Sequence, residues 1–183
     1  MHISQTFTTF ALIIHCYRIM AKTEISTIGE FGLIKHLTKD LPTCQPSTQK
    51  SVGDDAAVMN FGAQRTLVTT DLLLEGIHFN LEYAPLKHLG YKAAVVNFSD
   101  IYAMNATPTQ ITVSLGISKR FSVEDLEELY AGIRLACEKY NVDLVGGDTS
   151  ASMTGLTISI TCLGTAYDSD IVYRNGAKVN DLI

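Results

Sequence analysis

Two carboxylates stand side by side in residues 51–60, SVGDDAAVMN: Asp54 and Asp55, set in a run that otherwise reads as a buried apolar strand. Adjacent like charges repel, and a buried carboxylate without a partner is costly. Something positive should lie beside them, and the stretch itself holds no lysine or arginine. Three more acids share this setting, each at the end of an apolar element beside small or hydroxyl residues: Asp71 in VTTD, Asp100 in VVNFSD and Asp148 in LVGGDT. The acids Glu124, Asp125, Glu127 and Glu128 differ, forming an ordinary solvated helix face.

Hard oxygen ligands without histidine or cysteine partners select Mg²⁺ or Ca²⁺ rather than zinc. No EF-hand loop occurs, which leaves Mg²⁺, an ion that binds through a few carboxylates, water and substrate phosphates. Thr69 and Thr70 add oxygens beside Asp71. The positive charge beside Asp54 and Asp55 is therefore read as metal. Gly146 and Gly147, before Asp148, fit either close backbone approach to a phosphate or a tight turn after a strand. Neither a GxxxxGK[ST] loop nor a GxGxxG after a strand occurs, so a nucleotide would be held mainly through metal. The residues point to Mg²⁺-dependent phosphate chemistry and no further.

The elements that would position these groups follow from periodicity. Phe31, Leu33, Ile34 and Leu37 are spaced as a helix over 29–38, followed by a polar loop at 39–50. Strands are expected at 51–60 and over RTLVTTDLLLEGIHF (65–79), with a turn at 60–62. Pro85 opens a helix predicted over 85–104. On it Ala93, Asn97, Asp100 and Met104 share one stripe, where an Asn–Asp pair could equally cap a neighbouring backbone segment. A strand over 108–118 comes next, then a helix capped by Ser122. Strands over 141–150 and 155–167 complete the order β-β-α-β-α-β-β. This predicts an α+β fold with a mixed sheet packed by helices.

Composition narrows the classes. The 183 residues are 46% hydrophobic and 18% charged, as expected for a soluble globular domain, and the net charge of −5 disfavours nucleic acid as a partner. No run reaches the roughly 20 apolar residues of a membrane span. Cys16, Cys44, Cys137 and Cys162 form no metal-type spacing and read as reduced thiols of a cytoplasmic protein. Residues 1–19 make a poor signal peptide, and Met20 opens a normal cytosolic start, so 1–19 are read as a mis-called start or a disordered extension. Residues 20–170 are read as one domain. Residues 171–183, ending as a strand is expected to begin at AKVNDLI, are read as the start of a truncated second one.

In order, GEFGLI, GDDAAV, TTDLLLEGIHF, YKAAVVNFSDIYAMNATP and LVGGDT resemble the thiamine-monophosphate kinase family. That family belongs to the ATP-binding superfamily of aminoimidazole ribonucleotide synthetase, selenophosphate synthetase and a hydrogenase maturation protein. Several motifs match together, from about Gly29 to the end of the chain. His78, seven residues after Asp71, is similar to the kinase pattern, and no reactive cysteine of the selenophosphate type is suitably placed.

The resemblance implies ATP-dependent phosphorylation of thiamine monophosphate by direct in-line transfer, with several Mg²⁺ ions. It implies that Asp55 bridges metal ions, that Thr69, Thr70, Asp71 and Asp100 are further ligands, and that Asp54 is a ligand or orients its neighbour. It places Asp148 and Gly147 at the ATP-bound metal and phosphate, Arg174 at ATP phosphate and His78 at the thiamine substrate. Taken alone, His78 also fits a packed strand-end histidine and Arg174 a solvated surface residue. A homodimer whose sheets pair into a barrel is implied too. Two departures stand out: SASMTG replaces the family's Thr-Arg-Gly after GGDT, and the second domain with its own site residues is absent from the sequence. The residues themselves leave open a sibling synthetase or a non-catalytic Mg-nucleotide-binding module.

Overall fold

The computed structural model describes residues 25–39 and 44–181. The expected start or extension at 1–19 lies outside them. The chain divides after Pro42. The first unit contributes helix α1, Ile25–Thr38, interrupted at Gly29, where φ is 65°.

The second unit is built on six strands: β1 (Thr48–Lys50), β2 (Ala57–Asn60), β3 (Arg65–Leu74), β4 (Thr107–Ile117), β5 (Asp143–Ala151) and β6 (Thr157–Ala166). They form one sheet in the order β1-β2-β3-β6-β4-β5. All neighbours are antiparallel except β4 and β5. The expected α+β class with a mixed sheet is what forms. Period-two alternation sets the faces. Leu67, Thr69 and Leu73 of β3, Ile158, Ile160 and Cys162 of β6, and Ile111, Val113 and Leu115 of β4 are buried. The intervening Thr70, Leu72 and Ser114 are exposed.

Two helices fill the buried side: α2 (Leu86–Ala103) packs on β3, β6 and β4, and α3 (Val123–Tyr140) packs on α2 and reaches β5. Phe98, Leu89, Ile101 and Met104 of the α2 segment, with Leu129 and Ile133 of α3, are fully or nearly fully buried. The helices touch through glycine. A Cβ on Gly90 would stand 2.0 Å from the Leu129 carbonyl oxygen, and one on Gly132 would stand 1.8 Å from that of Lys87. A side chain at either position would force the pair apart. Ser122 begins α3 with a reciprocal capping box, in which its Oγ accepts from Asp125 N–H at 3.2 Å and its own N–H donates to Asp125 Oδ2 at 2.8 Å.

Three boundaries differ from expectation, each for a local reason. Residues 52–56 are bends, and the strand starts only at Ala57, so the adjacent aspartates occupy a loop. The polar loop at 39–50 contains β1, which pairs with β2 despite its hydrophilic sequence. Strand β3 stops at Leu74, because residues 74–79 close into a tight turn with Gly76 N–H donating to Phe79 O at 2.8 Å.

Candidate functional site

Helix α2 and strand β3 hold the central acids. Thr69 Oγ1 donates to Asp100 Oδ2 at 2.9 Å, joining the two elements. One turn earlier on α2, the completely buried Asn97 accepts from the Asp71 backbone N–H at 3.0 Å and donates to Ala93 O at 3.0 Å. Its amide thus fixes the strand at Asp71 while staying hydrogen-bonded on both ends. The stripe seen in the sequence does cap a neighbouring backbone segment, and it does so through Asn97 while Asp100 takes the hydroxyl.

The loop carrying Asp54 and Asp55 meets the same region through Met104, whose Sδ accepts from Ala56 N–H at 3.2 Å. Met104 O accepts from Val172 N–H at 3.1 Å, which draws in the segment bearing Arg174. Arg174 Nη2 then donates to Asp55 Oδ1 at 2.5 Å, with Nε 3.5 Å from Asp54 Oδ1. Arg174 thus supplies a positive charge beside the paired aspartates, a source that reading the charge as metal does not anticipate. It was invisible locally because it arrives from 119 residues away. The Asp54 side chain is only 1% exposed, and its Oδ1 also accepts from Asp55 N–H at 3.0 Å.

The acids sense one another. Burial pushes Asp71 above the ordinary carboxylate range, with His78 pulling it back. Asp100 is likewise raised, first by burial; the Thr69 hydroxyl opposes this, Asp71 and Asp55 add to it, and Arg174 opposes it. Asp55, Asp71, Asp100 and Arg174 thus share one electrostatic neighbourhood. A cleft of about 360 Å³ opens there, lined in part by Asp54, Asp55, Thr69 and Thr70.

Other expected site residues lie further out. Thr70 turns its hydroxyl to Ile160 O at 3.1 Å and accepts from Thr161 Oγ1 at 3.2 Å, so that group is already engaged with β6. Asp148 is exposed on the edge strand β5, in register with Ser114. Strands β6 and β4 stand between it and Asp71, roughly 14 Å of sheet at ordinary strand spacing. Gly147 is required by contact, since a Cβ there would lie 1.8 Å from Val113 O.

His78 is exposed, and its Nδ1 accepts from Leu74 N–H at 2.9 Å. With Nδ1 so engaged, Nε2 is the ring nitrogen left to donate. Lys92 Nζ holds the His78 carbonyl at 3.1 Å. The turn is braced by Glu75, which pairs with Arg120 and accepts from Leu156 N–H at 2.9 Å. A larger hollow of about 620 Å³, lined by Glu75, Asn80, Glu82, Arg120 and Phe121 among others, adjoins this turn and contains none of the acidic quartet. Asn97, Met104 and Glu75 were not singled out as site residues from the sequence; only Asn97 left a signal, as a polar residue on a buried stripe.

Among the described residues, no three His, Cys, Asp or Glu side chains are gathered closely enough to hold a metal ion by themselves. The donor chemistry still fits magnesium, which needs few protein carboxylates and completes its shell with water and phosphate. All the donors are hard oxygens, and the Arg174 guanidinium stands close to two of them. The residues that could hold it are Asp54, Asp55, Asp71 and Asp100, with Thr69.

A family model for the N-terminal domain of AIR synthase related proteins matches residues 53–166, and the chain belongs to that family. Within it, the similarity runs to thiamine-monophosphate kinases. The enzyme of Synechococcus elongatus is 36% identical over 165 residues, covering 90% of this chain and 48% of that protein. That of Aquifex aeolicus is 35% identical over 159 residues, covering 87% and 49%. A solved structure of AaThiL complexed with AMPPCP and TMP superposes with a TM-score of 0.77 at 34% identity, over 86% of this chain and 48% of that one. A HypE–HypF complex, at 23% identity and a TM-score of 0.61, shares the fold. The chain spans about half the length of the curated relatives it matches.

Proposed function

We propose that this chain serves the ATP-dependent phosphorylation of thiamine monophosphate to thiamine diphosphate, as the domain that holds metal and nucleotide. The carrying observation is that Asp71 and Asp100 stand on one α2–β3 framework, with Asp55, on the loop before β2, close enough to act on Asp100 electrostatically. That framework is tied together by Thr69 and Asn97, and a cleft lined in part by Asp54, Asp55 and Thr69 adjoins it, with Arg174 paired to the two aspartates. The relatives, including one structure complexed with AMPPCP and TMP, support the substrate pair.

Magnesium, when bound, would neutralise charge developing on the transferred phosphoryl group. Asp55, Asp71 and Asp100 would offer it oxygens, with Thr69 orienting Asp100. Asp54 would steady the loop through Asp55 N–H. Arg174 would pair with nucleotide phosphate, and Gly147 and Asp148 would meet the nucleotide from the β5 edge. His78 would donate from Nε2 to an oxygen of the monophosphate substrate. A substrate phosphate oxygen would attack the γ-phosphorus in line. One P–O bond forms as the bond to the ADP leaving oxygen breaks, and no phosphoenzyme intervenes. The open sheet face carrying Thr70, Leu72 and Ser114 would pair with a second copy as a barrel, in a cytoplasmic homodimer. No helix among the described residues is long and apolar enough to cross a membrane.

Phosphorus NMR with ATP, Mg²⁺ and thiamine monophosphate tests this reading. Thiamine diphosphate and ADP forming in equal amounts, and ceasing on chelation, is the expected result. Mg-dependent ATP binding without transfer would favour the second reading, a nucleotide-binding module.

A further inference from the structure

Resting on that reading of the site, we propose that Arg174 is a displaceable internal counter-ion. It occupies Asp54 and Asp55 until a divalent cation takes its place, and its release hands the guanidinium to nucleotide phosphate. The metal and the nucleotide are thereby coupled through one side chain.

Four features carry this. The Asp54 side chain is 1% exposed, so its charge needs a partner at all times. Arg174 supplies one while its own side chain stays 48% exposed, free to leave into solvent. Its backbone stays anchored during such a move, because Val172 N–H bonds to Met104 O and Gly176 N–H to Tyr173 O, both at 3.1 Å. Finally, Arg174 Nη2 binds Asp55 Oδ1, on a carboxylate that an incoming cation would also use. Guanidinium and metal thus compete for the same carboxylate, and their like charges repel at that distance. One guanidinium is also outnumbered by Asp54, Asp55, Asp71 and Asp100, and a doubly charged ion suits that quartet better.

The ordering differs from a simple phosphate contact. A plain phosphate ligand would leave metal affinity untouched in the absence of nucleotide. A purely structural clamp would lower it when removed, since the loop would loosen. A displaceable counter-ion raises it when removed.

The test is Mn²⁺ binding, followed by electron paramagnetic resonance without nucleotide, in the wild type and in Arg174→Gln. The variant should bind Mn²⁺ roughly fivefold more tightly, the scale of a partly exposed ion pair. It should also bind ATP in the presence of Mg²⁺ more weakly than the wild type. Equal or weaker Mn²⁺ binding by the variant overturns the proposal while leaving the metal site standing. Absence of Mn²⁺ binding in both proteins overturns the metal reading as well, so the two failures are distinguishable. Should Arg174→Gln fold poorly, the wild type suffices. Mg²⁺ titration should shift the Arg174 Nε–Hε NMR signal, identified by its loss in Arg174→Lys, and a signal that does not move refutes displacement.

Discussion

Arg174 bridges both members of an adjacent acidic pair, with Nη2 2.5 Å from Asp55 Oδ1 and Nε 3.5 Å from Asp54 Oδ1. The two aspartates are not equivalent under it. Asp54 is buried and caps its neighbour's N–H, while Asp55 keeps a third of its side-chain surface open, at 34%. Asp54→Ala should therefore cost about 1–3 kcal/mol, the range for a buried partner left unsatisfied, whereas Asp54→Asn retains an acceptor and costs less. Urea unfolding of both variants checks the order.

Asn97 makes a similar claim on stability from inside α2. Replacing it by alanine strands the Asp71 N–H and opens a void beneath the strand. A loss of about 2–3 kcal/mol is expected from an unsatisfied buried donor plus a small cavity. Thermal melting reads the loss. Mg-dependent nucleotide binding should weaken as well, because Asp71 loses its fixed backbone.

Asp71 runs the other way. Its folded-state pKa is raised by burial, with His78 opposing, from an ordinary value of 3.8. The folded protein thus holds that proton more tightly than the unfolded chain. The resulting stability is complete below the unfolded value and is lost as pH rises through the folded one. Asp71→Asn removes the penalty, so in the absence of metal it should melt higher than wild type at pH 7.5. The advantage should shrink at pH 4.5. Phosphoryl transfer should vanish in the same variant. Equal melting temperatures at both pH values would refute this.

The cysteines offer a simple probe of the core. Burial pushes the Cys162 thiol up to about 12, with Asp100 and Cys137 adding to the shift, and Cys137 is also raised by burial. Cys44 is exposed. In a Cys16→Ser background at pH 8, a disulfide reagent should label Cys44 quickly and the other two only on unfolding. Mass mapping of the early product settles it.

What could be read from the sequence was what is local. The α3 boundaries follow from Ser122 and Asp125, which cap each other over three residues, and the stripe through Ala93 and Asn97 declares its buried face. The individual acids were visible as odd charges at element ends. Their grouping was not. Nothing in GDDAAV signals Arg174, since the two meet only after Met104 anchors both the 54–56 loop and the 170–174 segment. Likewise, LVGGDT resembles the other acidic motifs closely, yet the strand order sets Asp148 apart from them. Sheet order is decided by which hydrophobic faces fit α2, a property of the whole domain.

That order has a consequence for how the chain is made. β6, the last strand of this sheet in chain order, inserts between β3 and β4, and Thr70 meets Thr161 across 91 residues of sequence. At ordinary rates of translation, the inner edge of β3 waits roughly 5–20 s for its neighbour. Through that interval the edge of β3 that will meet β6 stays unpaired, and its row of backbone donors and acceptors lies open to any passing strand. Yield in the cell is then governed less by the finished domain than by what shelters one edge during those seconds. A circular permutant that begins with β6 should need less help from chaperones than the natural order does.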